Sequence, residues 1–177
     1  MNIAVYCSAK DSIADDYKQL GIEFGEWIAL HHHTLVYGGA TGGLMTAVSK
    51  TCFENGGEVI GVVPQRIIMA GRKSEWCTQI IETANMSERK QMMRETADCF
   101  VCLPGSYGTL DEMFDVVAAG TVQEHHKKLY VLNYKQFYSD LLNLIENMKR
   151  ENFIPKEEIY RPVFVNTLQE LYTQLDN

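Results

Sequence analysis

Short apolar runs alternate with longer stretches of helical period from one end of the chain to the other. Residues 2–8 (NIAVYCS) read as an apolar strand, and residues 11–31 as a long helix with Tyr17, Leu20, Phe24, Trp27 and Ile28 near helical spacing. A strand at 34–37 follows, then a helix over 42–55 closed by Gly56 and Gly57, and a strand at 58–63. Residues 64–76 show no period, and 77–82 read as extended. A helix opens after Met86 with Ser87 as its cap and runs to about Ala97. It precedes a strand at 98–103 and a helix from Thr109 to about Thr121. A strand at 128–133, a helix at 136–149, a short extended piece at 161–165 and a closing helix at 167–176 complete the chain. Strand runs this apolar are covered on both faces, and strict strand–helix alternation implies a parallel sheet wound on both sides by helices. In such sheets ligands bind outside the carboxyl ends of the strands.

Composition narrows this to a Rossmann-like, doubly wound α/β domain expected to span residues 1–177. Hydrophobic content is 46% and net charge −7, with a pI near 5.2. That charge, with no run of Lys and Arg, argues against a nucleic-acid partner. No apolar stretch has the length of a membrane span, and Met1-Asn-Ile-Ala-Val-Tyr6 begins a strand rather than a secretory signal. Five cysteines fit a reducing, cytoplasmic setting. Cys7, Cys99 and Cys102 lie in apolar strands as small core residues. Cys99 and Cys102 have redox spacing, but residues three apart on a strand face opposite ways. The histidines, at 31–33 and 125–126, follow helices and lack the converging ligands of a metal site.

The chemistry concentrates in Asp98-Cys-Phe-Val-Cys-Leu-Pro-Gly-Ser-Tyr-Gly-Thr-Leu-Asp-Glu112. Pro104 ends a strand, and Gly105 and Gly108 allow a sharp turn and close approach to a ligand. The helix opening at Thr109 suits an anion such as a phosphate, with Glu112 in its first turn. A second reading stays open: Thr109 to Glu112 also fits a capping box, in which Glu112 only bonds back to the helix start. In Met86-Ser-Glu-Arg-Lys90, one helical face carries Met86, Arg89 or Lys90, Met93 and Ala97. A cation on a packed face needs an anion or a cleft, unless it snorkels to water along a buried stem. Gly38-Gly-Ala-Thr-Gly-Gly43 is either a tight strand-to-helix turn or a wall of a binding site. It lacks G-x-G-x-x-G spacing and the Lys of a P-loop, and Ser106 is in no G-x-S-x-G elbow.

Met86-x-x-Arg89-Lys90 followed by Pro104-Gly-x-x-Gly108-Thr-x-x-Glu112 resembles the paired signature of the LONELY GUY (LOG) family, cytokinin riboside 5′-monophosphate phosphoribohydrolases often mislabelled as lysine decarboxylases. Val36-Tyr-Gly-Gly-Ala-Thr-Gly-Gly-Leu-Met45 resembles that family's first glycine loop, and Val59-Ile-Gly-Val-Val-Pro64 its next strand. Two positions depart from the pattern: Ser106 and Ala40 stand where the family has glycine. The resemblance implies hydrolysis of the N-glycosidic bond of an adenosine 5′-monophosphate, plain or N6-substituted, without metal or organic cofactor. It implies Glu112 as the carboxylate that stabilises charge on the ribose, and Arg89 as an electrostatic clamp rather than a general acid. Gly105, Ser106, Gly108 and Thr109 would hold the phosphate. Gly39, Thr41, Gly42, Met86 and Lys90 would complete the nucleotide site. It also implies a homodimer with the site near the interface, and Met113, Phe114, Val116, Val117 and Ala118 make the helix after Gly108 apolar on more than one side. Simple burial under neighbouring helices accounts for that pattern equally. The alternative from another class is a non-catalytic nucleotide or molybdenum-cofactor carrier of the same fold. A true lysine decarboxylase would use pyridoxal phosphate on a Schiff-base lysine with supporting partners, and no such set is evident.

Overall fold

The computed structural model describes residues 1–155 and 157–176. Among them seven strands form one sheet: β1 (Asn2–Tyr6), β2 (Thr34–Tyr37), β3 (Glu58–Pro64), β4 (Gln79–Thr83), β5 (Cys99–Cys102), β6 (Leu129–Leu132) and β7 (Val163–Val165). The strand order is β4-β3-β2-β1-β5-β6-β7, and every neighbouring pair is parallel. The helices are α1 (Asp15–Leu30), α2 (Gly43–Glu54), α3 (Gln65–Met69), α4 (Met86–Thr96), α5 (Tyr107–Thr121), α6 (Ser139–Arg150) and α7 (Leu168–Leu175). This is a Rossmann-like α/β fold. Chain direction across the sheet reverses between β1 and β5, so the loops leaving these two strands frame the crevice where such folds take ligands.

The sheet is buried on both faces. Ile3, Val5, Leu35 and Val101 pack with Leu20, Phe24, Ile28 and Val48 on one side. Ala4, Tyr6, Val36 and Phe100 pack with Met93, Met113 and Val116 on the other. Cys99 lies in the first cluster and Cys102 in the second, as a strand's two-residue period requires. Helices α1 and α2 approach closely because Gly21 and Gly25 carry no side chain; a Cβ on Gly25 would sit 2.4 Å from the Val48 carbonyl oxygen. No helix among the described residues is long and apolar enough to cross a membrane.

Several boundaries differ from the sequence expectations. β1 ends at Tyr6 and α1 begins at Asp15, which leaves an irregular loop between them. Residues 64–76 contain the short helix α3. The cap of α4 is Asn85, whose side-chain oxygen accepts from the backbone N–H groups of Ser87 and Glu88. Ser87 is thus inside the helix, its own amide being one that needs a cap. Helix α5 starts at Tyr107, two residues ahead of Thr109. A 3-10 turn at Tyr134–Gln136 precedes α6, which starts at Ser139.

Candidate active site

The loop from β5 to α5 is tied to the end of β1. Leu103 N–H donates to the Tyr6 carbonyl at 2.9 Å, and Ser8 N–H to the Pro104 carbonyl at 3.3 Å. Tyr138 adds a hydroxyl donated to the Leu103 carbonyl at 2.9 Å. Gly105 is required by what packs on it: a Cβ there would lie 2.1 Å from Oγ1 of the buried Thr109. Ser106 occupies the N-cap position of α5, but its side chain makes no capping hydrogen bond among the described residues. The first amides of α5 are therefore open to a ligand. Above Gly108 the space is open: apart from its chain neighbours and its own helix backbone, no atom of the described residues lies within 4 Å of where a Cβ would stand.

Helix α4 brings the second half of the site. Asn85 caps it, and the Glu88 carboxylate accepts in return from Ala84 N–H at 2.7 Å, which fixes the helix start. One turn before the fully buried Met93, Arg89 points inward and its Nη2 pairs with Glu112 Oε1. Arg89 is 8% exposed and Glu112 3%. The Glu112 carboxylate is engaged by Arg89 rather than by its own helix start, and the Arg89 head is not in bulk water. Arg89 Nη1 donates to Met86 Sδ at 3.5 Å, while the buried Nε has no partner among the described residues. Burial pushes the guanidinium pKa down from its ordinary value, against the opposing influence of neighbouring Tyr6 and Asp111. A cation and an anion held this far from water attract strongly and are costly to separate.

These elements floor a cleft of about 400 Å³. Of the residues expected in the site, Met86, Arg89, Ser106, Gly108, Thr109 and Glu112 line it. Gly105 instead lines an adjoining cavity of about 270 Å³, with Tyr17, Leu44 and Phe137 among its apolar walls. Lys90 is turned to the outer face, where its ammonium meets Asp111 at 2.9 Å and Asp115 at 3.5 Å. Gly39, Thr41 and Gly42 are not among the residues that line the cleft. The Gly39 carbonyl accepts from Ser74 N–H at 2.8 Å, and Thr41 N–H donates to the Arg72 carbonyl at 3.2 Å. Gly42 lets the chain pass Ala9: a Cβ there would sit 2.2 Å from the Ala9 carbonyl oxygen. The glycine loop is thus a backbone junction between the β1–α1 loop and the β3–β4 loop.

The rest of the lining was not anticipated from the sequence. It comes from Ser8, Lys10 and Asp11 after β1, from Met45 on α2, and from Arg72 after α3. The position of residues 8–11 at the carboxyl end of the central strand is the signal that points to them. Arg72 sits in the segment without periodicity and carries no comparable signal. Among the described residues, no group of three or more His, Cys, Asp or Glu side chains could hold a metal ion.

Fold and site together define an α/β protein with an anion-suited helix terminus beside a buried arginine–carboxylate pair. Residues 45–175 match the family model described as possible lysine decarboxylase. Over 174 residues the chain is 32% identical to an Oryza sativa subsp. japonica protein named probable cytokinin riboside 5′-monophosphate phosphoribohydrolase LOGL6, covering 98% of this chain and 70% of that protein. It is 32% identical over 175 residues to the Arabidopsis thaliana cytokinin riboside 5′-monophosphate phosphoribohydrolase LOG1, covering 99% of this chain and 82% of that one. The chain belongs to this family, the LOG proteins. Among solved structures, TM1055 superposes with a TM-score of 0.79 at 19% identity, covering 99% and 98% of the two chains. The Chlamydomonas reinhardtii molybdenum cofactor carrier protein does so at 0.73 and 19%, covering 99% and 95%. These two similarities concern the fold.

Proposed function

We propose that the protein hydrolyses the N-glycosidic bond of an adenosine 5′-monophosphate, plain or N6-substituted, to free base and ribose 5-phosphate. The observation that carries this reading is the buried Arg89–Glu112 pair on the floor of the cleft, next to the uncapped start of α5. Breaking the glycosidic bond leaves positive charge on the ribose. A carboxylate fixed in a low-dielectric site stabilises that charge and orients the attacking water. Glu112 has this role. Arg89 holds the carboxylate in place and offers donors to the departing base or the phosphate; it stays protonated and is not the acid. The open amides of Gly108 and Thr109, with the Ser106 hydroxyl, receive the 5′-phosphate, while Met86 borders the base. Gly39, Thr41 and Gly42 act by holding the walls in place, and Lys90 by tying α4 to α5.

A homodimer belongs to the same reading. Met113 and Val116 of α5 are buried against the sheet, but Phe114 is 41% exposed and Ile159 64%. Ile159 borders, with Val117 and Phe153, an apolar hollow that a second copy would cover. A cytoplasmic location is supported by five cysteines that are all free thiols.

The test is release of base from AMP and from N6-prenylated AMP by the wild type and by Glu112→Ala. Hydrolysis that falls by at least 10²–10³-fold in the variant, the size of effect expected for a lost electrostatic stabiliser, supports the reading. A wild type that binds nucleotide without cleaving it, with Glu112→Ala binding equally well, favours a carrier.

A further inference from the structure

With Arg89 committed to Glu112, three other charged residues line the cleft: Lys10, Asp11 and Arg72. Asp11 is occupied, accepting from Gly43 N–H at 2.9 Å. Lys10 and Arg72 are different. Both are exposed, and among the described residues neither side chain makes a salt bridge or hydrogen bond. Their backbones are nonetheless firmly held. Lys10 N–H donates to Ser8 Oγ at 3.2 Å, and Lys10 is pressed against Gly43, where a Cβ would stand 2.4 Å from the Lys10 carbonyl oxygen. Arg72 N–H donates to the Ile67 carbonyl and its own carbonyl accepts from Thr41, both at 3.2 Å. One short segment, Thr41 to Gly43, therefore fixes both cations at the same cleft.

From this arrangement we infer that Lys10 and Arg72 are the side chains that select a phosphorylated ligand over its unphosphorylated counterpart. The inference rests on the phosphoribohydrolase reading for the identity of the ligand and goes beyond it in where the charge is matched. A phosphate monoester carries about −1.5 to −2 charges at neutral pH. The start of one helix supplies only about half a positive charge. Two cations lining the same cleft, unpaired among the described residues, make up the difference. Arg72 offers a planar fork to two phosphate oxygens, and Lys10 a point charge on an adaptable stem. Because both heads are wet before the ligand arrives, their contribution weakens with added salt.

The experiment is calorimetric binding of ribose 5-phosphate and of ribose to the wild type, Lys10→Met and Arg72→Met, with thermal melts confirming that the variants fold. AMP hydrolysis is measured in parallel. The wild type binds ribose 5-phosphate more tightly than ribose. Each substitution weakens ribose 5-phosphate binding on the order of tenfold, as for one lost charge-assisted contact, and leaves ribose binding unchanged. For hydrolysis the loss falls on KM more than on kcat. Hydrolysis by the wild type with both variants binding ribose 5-phosphate normally overturns this inference and leaves the hydrolase reading standing. Tight binding that depends on Lys10 and Arg72 in a wild type that cleaves nothing does the reverse. Weak binding of ribose 5-phosphate by the wild type, no better than ribose, also overturns the inference.

Discussion

Gly38 and the guanidinium of Arg89 are in contact: a Cβ on Gly38 would lie 2.9 Å from Arg89 Nη2. The first residue of the glycine loop thus sets where the buried cation rests, and through it the Glu112 carboxylate. The backbone of Gly38 is not in the left-handed region, so alanine is conformationally acceptable there. What must yield is the far end of the Arg89 side chain. Gly38→Ala is therefore expected to reduce turnover by tenfold or more, since small displacements of catalytic groups are costly, while thermal stability changes little. A loss of stability matching the loss of activity would show that the contact is only structural.

Gly25 is a case of the opposite kind. Its Cβ would meet backbone, the Val48 carbonyl, at 2.4 Å, so helices α1 and α2 would have to separate. Gly25→Ala should destabilise by about 1–3 kcal/mol through overpacking. At roughly 2–4 °C per kcal/mol for a chain of this size, a thermal melt reads this directly. Activity at temperatures well below the melt should survive.

The histidines set the response to acid. His125 packs between Phe100 and Tyr160, and its Nε2 lies 3.0 Å from the Val116 carbonyl. Burial lowers its pKa from the ordinary value, and burial also lowers that of His33. Both side chains are favoured neutral in the folded state, so the unfolded chain takes up protons first as pH falls. Stability should hold above about pH 6.5, the ordinary histidine value, and decline below it towards the lower folded-state values. His125→Gln should flatten that decline in a series of denaturant melts. An unchanged slope would show that His125 does not contribute to the acid response.

The thiols should behave as core atoms. Burial pushes Cys52, Cys99 and Cys102 up to about 12, and raises Cys7 further still. Cys77 is the less buried one, with its Sγ 3.3 Å from the Tyr37 hydroxyl. A thiol reagent at pH 8 should label at most Cys77 quickly in the native protein, and all five cysteines after unfolding. Rapid native labelling at Cys99 or Cys102 would contradict their placement on opposite buried faces of β5.

Much of this architecture is legible in the residues alone. Apolar runs such as 99–102 and the glycine breaks after them encode strand ends directly, and Arg89 on a packed helical face announces a buried partner. Glu112 is that partner. What is not legible depends on which chain segments meet. Thr109, Asp111 and Glu112 carry the composition of a helix start, yet α5 begins at Tyr107 because the bonds from Leu103 to Tyr6 and from Ser8 to Pro104 fix where the strand lets go. Asn85, not Ser87, caps α4, since either side chain is competent and the turn after β4 decides. The glycines at 38–43 look like a ligand cradle because close approach of any atom demands glycine. Here the approaching atoms are the Ala9 and Lys10 carbonyls, the Val63 side chain and the Arg89 guanidinium. Lys10 and Arg72 reach the cleft from two loops without periodicity, which only tertiary packing brings together.

Product stoichiometry tests glycosidic-bond hydrolysis by Glu112 directly. Purified protein is incubated with N6-isopentenyl AMP and, separately, with the corresponding riboside, and free base and ribose 5-phosphate are quantified together. Equimolar base and ribose 5-phosphate from the nucleotide, little or no base from the riboside, and loss of both products in Glu112→Ala are the predicted result. Release of inorganic phosphate with the glycosidic bond intact, or base release that persists without Glu112, would contradict it.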